Sequence, residues 1–172
     1  SSHKLRSDWM DVFLGATCRF LIGTGSGYFH IPAFFGVPCI LTNFPGFVPY
    51  YGLRRHDLYL PRWQKIVETN KLVSFEQYMS PAVSMISSIK NFKDAGLHWT
   101  GNSPEELEAV TKEMLKKTDN VGQYSTKNDN EHQRLFKTLA EKCGKKHGEN
   151  MVKALAPISY EFLEMHVDLL KC

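Results

Sequence analysis

Cys18-Arg19-Phe20-Leu21-Ile22-Gly23-Thr24-Gly25-Ser26-Gly27, continued by Tyr28-Phe29-His30-Ile31-Pro32-Ala33-Phe34-Phe35-Gly36 and Val37-Pro38-Cys39-Ile40-Leu41-Thr42-Asn43, is the stretch that decides the fold. Residues 18–22 read as a strand interrupted only by Arg19. A glycine-rich loop follows, then a short helix that Gly36 stops and that accepts Pro32 if it lies in the first turn. Residues 38–42 form the next apolar strand. Strand, loop, helix and strand in that order demand a crossover and a parallel sheet. The predicted fold class is α/β, a Rossmann-like parallel sheet flanked by helices, with C-terminal helices packing back.

Upstream, Ser7 is a good N-cap, and Asp8 and Asp11 favour the dipole of a helix over residues 7–16. Gly15 is placed to end it, and Met10, Phe13 and Leu14 share a face expected to be buried. Downstream, residues 43–55 form a turn-rich loop crowded with Phe44, Phe47, Tyr50 and Tyr51. These aromatics either stack on a base or sugar or simply fold the loop down. Residues 57–61 look extended, residues 74–78 start a short helix, and residues 80–100 give no clear pattern. Ser103, Pro104 and Glu106 spell a capping box for a helix whose buried stripe is Leu107, Val110, Met114 and Leu115. The polar residues 118–130 read as a surface excursion. Two helices are then expected near 130–143 and 150–171, the last packing back through Ile158, Phe162, Met165 and Leu169.

The glycine loop carries the most chemistry. A strand that feeds such a turn and then a helix leaves backbone N–H groups free where the helix dipole is positive, a setting that accepts phosphate oxygens. Gly23, Gly25 and Gly27 permit close approach and positive φ, and Thr24 and Ser26 add hydroxyl donors. In open parallel sheets ligands bind beyond the carboxyl ends of strands, where this loop must lie. The loop is no P-loop, because the Gly-Lys-Ser/Thr ending is missing. It also misses the dinucleotide fingerprint, whose third glycine falls on Tyr28 or His30 according to the starting glycine. A tight turn without a ligand is the alternative. His30 is placed to contact a phosphate or sugar hydroxyl or to pack as a structural side chain, and Arg6 is a candidate cation or a solvated surface arginine.

Composition narrows the classes. The 21 basic and 18 acidic residues leave a net charge of +3 spread along the chain, which argues for neither nucleic acid nor an acidic lipid surface. No apolar run reaches the roughly 20 residues that span a bilayer, so no membrane span is expected. The length suits one domain over residues 1–172. The first residue is not Met, so the sequence is expected to begin inside a longer chain. Cys18 and Cys39 sit in or beside apolar runs and read as buried reduced thiols, fitting a cytosolic setting. Cys143 and His147 stand one helical turn apart, but Gly144 and Gly148 break that stretch and further ligands are missing, so no metal is expected.

Residues 5–14, Leu5-Arg6-Ser7-Asp8-Trp9-Met10-Asp11-Val12-Phe13-Leu14, followed by residues 18–27, resemble a family of bacterial glycosyltransferases of the GT-B type, in which an Arg-Ser-Asp-Phe-Met-Asp-like helix leads into a strand and a Gly-Thr-Gly/Ser-Ser/Thr-Gly loop. Phe35-Gly36-Val37-Pro38, Thr42-Asn43-Phe44, Asp57-Leu58-Tyr59-Leu60-Pro61 and Leu72-Val73-Ser74-Phe75-Glu76 resemble its next landmarks. Weaker echoes lie in residues 102–114 and 160–163. The resemblance implies the C-terminal donor-binding half of a two-domain enzyme, with the N-terminal acceptor domain absent. Gly23, Thr24, Gly25, Ser26 and Gly27 would cradle the diphosphate of a nucleotide-sugar donor, supported by His30 and Arg6, with Asn43 and Phe44 bordering the pocket. It implies a glycan acceptor, a catalytic base outside these residues and no bound metal or other cofactor. A non-catalytic nucleotide- or anion-binding module and a Rossmann-like phosphosugar enzyme are the competing readings.

Overall fold

A computed structural model describes residues 7–44, 53–79, 89–119, 127–143 and 156–170. The fold is mixed α/β. Its centre is a parallel sheet of β1 (Leu21–Gly23), β2 (Cys39–Phe44) and β3 (Leu58–Pro61), in that spatial order. Leu21 pairs with Cys39 and Ile40 with Leu58, and Ile158 extends the sheet through a parallel bridge to Tyr59. β2 and β3 are buried along almost their whole length, as strands covered on both faces must be. A separate antiparallel ribbon pairs β4 (Trp63–Ile66) with β5 (Leu97–Thr100).

Helix α1 (Asp8–Thr17) starts as the sequence predicts, with the Met10 amide donating to Ser7 Oγ at 3.1 Å. It does not end at Gly15. That residue is buried within the helix, and a Cβ there would meet Ile31 at 3.0 Å and the Tyr28 hydroxyl at 3.2 Å. Because α1 packs through this small-residue side, its large apolar side chains turn outward. Met10, Phe13 and Leu14, expected inside, are 41–53% exposed, and Trp9 is 76% exposed.

After β1 come a 3-10 turn (Gly27–Phe29) and helix α2 (His30–Phe34). α2 ends in a Schellman arrangement, with the Val37 amide reaching the Pro32 carbonyl and Gly36 at φ +81° reaching Ala33. The first strand is shorter than expected. Arg19 lies before it and uses its guanidinium to bind Thr118 Oγ1, Asp119 and the Leu115 carbonyl, closing the C-terminus of helix α5 (Pro104–Asp119). The polar excursion expected over 118–130 is therefore narrower. Residues 118–119 complete α5, residues 127–130 open helix α6 (Lys127–Cys143), and residues 120–126 lie outside the described residues.

Helix α3 (Phe75–Met79) is capped by Ser74, and the ambiguous stretch contains helix α4 (Ile89–Asp94) and β5; residues 80–88 lie outside the described residues. In α5, Val110 and Met114 are buried as expected, alongside two carboxylates, Glu106 and Glu113. Leu107 and Leu115 are half-buried. The last described helix, α7 (Tyr160–Met165), begins only at Ser159 and is followed by a 3-10 turn (Val167–Leu170). Ile158 is thus a sheet residue and not part of its stripe, Phe162 is in the core, and Met165 is exposed. Among the described residues no helix is long and apolar enough to cross a membrane.

Two buried carboxylates hold elements together. Asp57, just before β3, accepts from the Cys39 amide at 2.8 Å and forms an ion pair with Arg54 at 2.9 Å. Arg54 in turn donates to the Ala33 carbonyl at 2.9 Å. Removing one member of such a pair strands the other in the interior, so Asp57→Ala should lower the unfolding free energy by about 3–5 kcal/mol in denaturant melts.

Glu113 accepts from Ser159 Oγ at 2.6 Å and from the Glu161 amide at 3.2 Å, so it caps α7 from below. Burial raises its carboxyl above the ordinary value, outweighing these bonds. A raised acid holds its proton longer when folded, so its cost is absent at low pH and grows as pH rises through that shifted value. Glu113→Gln keeps an acceptor oxygen and removes this cost. Relative to wild type the variant should gain stability between about pH 4 and about pH 7, read by denaturant melts at both.

Candidate functional site

The glycine loop lies at the carboxyl end of β1, beside the carboxyl end of β2. Thr42 Oγ1 donates to the Gly23 carbonyl at 3.2 Å and so ties the start of the loop to the neighbouring strand. The Ser26 amide turns back to the Thr24 carbonyl at 2.7 Å, and the Phe29 amide reaches the Ser26 carbonyl at 3.2 Å. Ser26 is the N-cap residue of the 3-10 turn, and its side chain makes no capping bond. Its hydroxyl is therefore not committed to the turn it precedes. Tyr28 anchors the far side of the loop, donating from its hydroxyl to the Asp11 carbonyl of α1 at 2.8 Å.

The glycines act differently from expectation. None of Gly23, Gly25 and Gly27 has positive φ; Gly36 and Gly96 do. What the loop glycines provide is room. A Cβ on Gly23 or Gly27 would meet no described residue within 4 Å, and one on Gly25 would meet Leu41 at an ordinary 3.6 Å. Thr24 and Ser26 are exposed beside that open space. The arrangement is a bare strand-to-helix edge with two hydroxyls over the start of a helical turn. It can offer backbone N–H groups and hydroxyls to an anion.

The remaining expected residues divide. His30 opens α2 on the same segment, is exposed, and meets the Phe29 ring edge-on at 5.6 Å. Asn43 is half-buried at the carboxyl end of β2. At φ 51°, it exchanges bonds with Asn102: its amide donates to Asn102 Oδ1 and the Asn102 amide to Asn43 Oδ1, each 2.7 Å. Phe44 is buried, edge-on to Tyr59 at 6.4 Å, and belongs to the core and not to a stacking surface. Arg6, Phe47, Tyr50, Tyr51 and His147 lie outside the described residues.

Other residues of this edge escaped the sequence reading. Asn102 also donates to the Pro61 carbonyl at 3.0 Å and to Glu106 Oε2 at 3.3 Å, joining β2, β3 and α5. Its place next to the Ser103 capping box was the available signal. Glu106 accepts from the Trp63 indole and meets His166 Nε2, both at 2.6 Å. Burial pushes the Glu106 carboxyl up, but His166, Trp63 and the Ser103 amide outweigh it, and the carboxyl sits below its ordinary value. Arg62, at the end of β3, follows a run that already reads as extended, so a cation at a strand's carboxyl end was visible in the sequence.

Cys18 and Cys39 are free thiols. Cys39 is fully buried, and burial pushes its thiol up to about 12, which leaves it unreactive as a nucleophile. Among the described residues no group of three or more His, Cys, Asp and Glu side chains is placed to hold a metal ion. Comparison with protein-family models, with curated proteins and with solved structures finds no match for this chain.

The two kinds of glycine predict opposite responses. Gly27→Ala places a methyl in open space on ordinary backbone, so its melting temperature should hold or rise slightly, a gain of at most about 1 kcal/mol from the unfolded chain. Gly36→Ala forces an L-residue to φ +81° and should lose about 1 kcal/mol or more, read in the same thermal melts.

Proposed function

We propose that this chain is the donor-binding half of a GT-B-type glycosyltransferase, its parallel sheet forming a Rossmann-like domain that holds a nucleotide sugar. The observation that carries the reading is the open glycine edge. Gly23, Thr24, Gly25, Ser26 and Gly27 run from the carboxyl end of a parallel strand into a helical turn, with no described residue within 4 Å of a Cβ on Gly23 or Gly27. A diphosphate suits that place because the start of a helical turn attracts anions and no described residue lies within 4 Å of a Cβ on Gly23 or Gly27. The likeness of residues 5–14 and 18–27 to bacterial GT-B enzymes supports the same reading.

In the reaction, the bond between the sugar's anomeric carbon and the donor phosphate breaks, and the acceptor oxygen forms a new glycosidic bond. The nucleoside diphosphate leaves with the electron pair, and the acceptor proton passes to a base of the acceptor half. The contribution of this chain is to hold the leaving diphosphate as its charge grows, without a resident metal. The outward apolar face of α1, with Trp9 76% and Phe13 52% exposed, also suits a two-domain enzyme, whose other half would cover it.

Calorimetric titration of the chain with UDP, GDP, ADP, dTDP, CMP and a sugar monophosphate tests the reading. One nucleoside diphosphate should bind saturably, and Ser26→Ala and Gly27→Ala should each weaken it without lowering the melting temperature. Preference for the sugar monophosphate would favour a phosphosugar enzyme. Binding that neither substitution alters would remove the glycine loop from the site.

A further inference from the structure

β1 and β2 pair in register as far as Gly23 and Leu41. Beyond that point β2 bulges: Leu41 pairs with Tyr59 and Phe44 with Pro61, so β2 uses one residue more than β3 over the same span. Bulges re-aim side chains and are over-represented beside active sites. This one contains Thr42 and Asn43. The buried Thr42 donates its hydroxyl to the Gly23 carbonyl, where the glycine loop begins. Asn43 stands at φ 51°, in the left-handed region. Among the described residues the other non-glycine residue there is Asn70, in the turn after β4, where such a conformation is ordinary. Asn43 adopts it inside a strand.

What holds Asn43 in place comes from the approach to α5. The Asn43 amide donates to Asn102 Oδ1 and the Asn102 amide to Asn43 Oδ1, each at 2.7 Å. The Asn102 side chain can face only one way. Its Nδ2 donates to the Pro61 carbonyl at 3.0 Å and to Glu106 Oε2 at 3.3 Å, so Oδ1 is left for the Asn43 N–H. Glu106 is buried and is fixed in turn by Trp63 and His166. Gly101 leaves the room for this approach, since a Cβ there would stand 3.2 Å from Asn43 Oδ1. A residue outside the strand, anchored on several sides, thus imposes on β2 a backbone conformation that most side chains resist.

We propose that Asn102 is a positioning residue of the donor site: it keeps Asn43 left-handed, which keeps the neighbouring Thr42 hydroxyl on the Gly23 carbonyl and sets the glycine loop in the form that receives the diphosphate. This rests on the donor-site reading above and gives Asn102 no contact with the nucleotide. Strained backbone persists only where its surroundings over-determine it, and here those surroundings lead from Glu106 to the start of the loop. Gly23, Gly25 and Gly27 make that loop costly to order, so an anchor fixed at its first residue before binding lowers the ordering that binding must supply.

Variants at both asparagines test this, with whichever of UDP, GDP, ADP and dTDP wild type binds most tightly. Calorimetry, thermal melts and amide hydrogen exchange are read on Asn43→Ala, Asn43→Gly, Asn102→Ala and the double variant Asn43→Gly/Asn102→Ala. Asn43→Ala and Asn43→Gly lose the same side-chain acceptor, but only glycine occupies φ 51° freely. The competent loop then becomes a minor population in Asn43→Ala, which should bind on the order of 10-fold more weakly than Asn43→Gly. Asn102→Ala should weaken binding to a similar degree. Adding Asn43→Gly to it should restore much of the affinity while the lowered melting temperature persists. Without nucleotide, exchange over residues 23–27 should quicken in Asn43→Ala and Asn102→Ala and slow again in the double variant, with α6 unchanged throughout. Equal binding by Asn43→Ala and Asn43→Gly, no rescue in the double variant, or exchange that quickens evenly along the chain would overturn the role of Asn102 and leave the donor site standing. If wild type binds none of the four diphosphates, the donor reading itself fails, and the role of Asn102 with it. Should Asn102→Ala fail to fold, the contrast between Asn43→Ala and Asn43→Gly decides the question.

Discussion

The parallel sheet depends on a carboxylate that water never reaches. Asp57 is fully buried, and both of its oxygens are used, one by the Cys39 amide and Arg54 Nη2, the other by the Arg54 amide and Nε. Through Arg54 the same group reaches the carbonyls of Ala33 and Val37. The end of α2, the start of β2 and the start of β3 therefore meet at one ion pair. Parallel strands cannot be joined by a hairpin, so their register must be set by contacts at their ends and by side-chain burial. Here the polar contact lies at the amino ends. A buried pair of this kind adds little net stability over an apolar replacement, but it admits few alternative arrangements.

The carboxyl ends are held by neutral groups instead. Thr42 fixes the Gly23 carbonyl, and Asn43 and Asn102 exchange amide bonds across the sheet's edge. Asn43 takes a left-handed backbone conformation that asparagine tolerates better than most residues, and the paired bonds with Asn102 offset its strain. From Asn102 the chain of contacts continues to Glu106 and then to Trp63 and His166, so the edge is braced by the start of α5 and the end of α7. With its strands braced from behind, the edge leaves Gly23 and Gly27 with no described residue within 4 Å of an added Cβ.

Local signals in the sequence were legible where they were self-contained. The Ser7 cap, the Ser103-Pro104-Glu106 capping box, the Gly36 stop and the two strands around the glycine loop all concern neighbouring residues. The misreadings are long-range. Met10, Phe13 and Leu14 do form a helical stripe, but periodicity says only that a stripe exists, and Gly15 packing on Ile31 and Tyr28 decides that it faces outward. Ile158 looks like one more helical position until Tyr59, far away in sequence, draws it into the sheet. Phe44 has the composition of a stacking residue and becomes core because Tyr59 lies beside it. Asn43 lies at the end of the second strand, and its exchange of bonds with Asn102 is a long-range contact that no local pattern shows.

A glycine can serve a fold by its backbone freedom or by the volume it leaves empty, and the two are distinguishable. Gly36 is of the first kind, because its φ of +81° ends α2 and no ordinary residue adopts it cheaply. Gly23 and Gly27 are of the second kind: neither has positive φ, and a methyl on either would touch no described residue. Folding therefore gives no reason for glycine at these two positions. The proposed anion would supply one, since a diphosphate lying close to the main chain excludes a Cβ while favouring the amides around it.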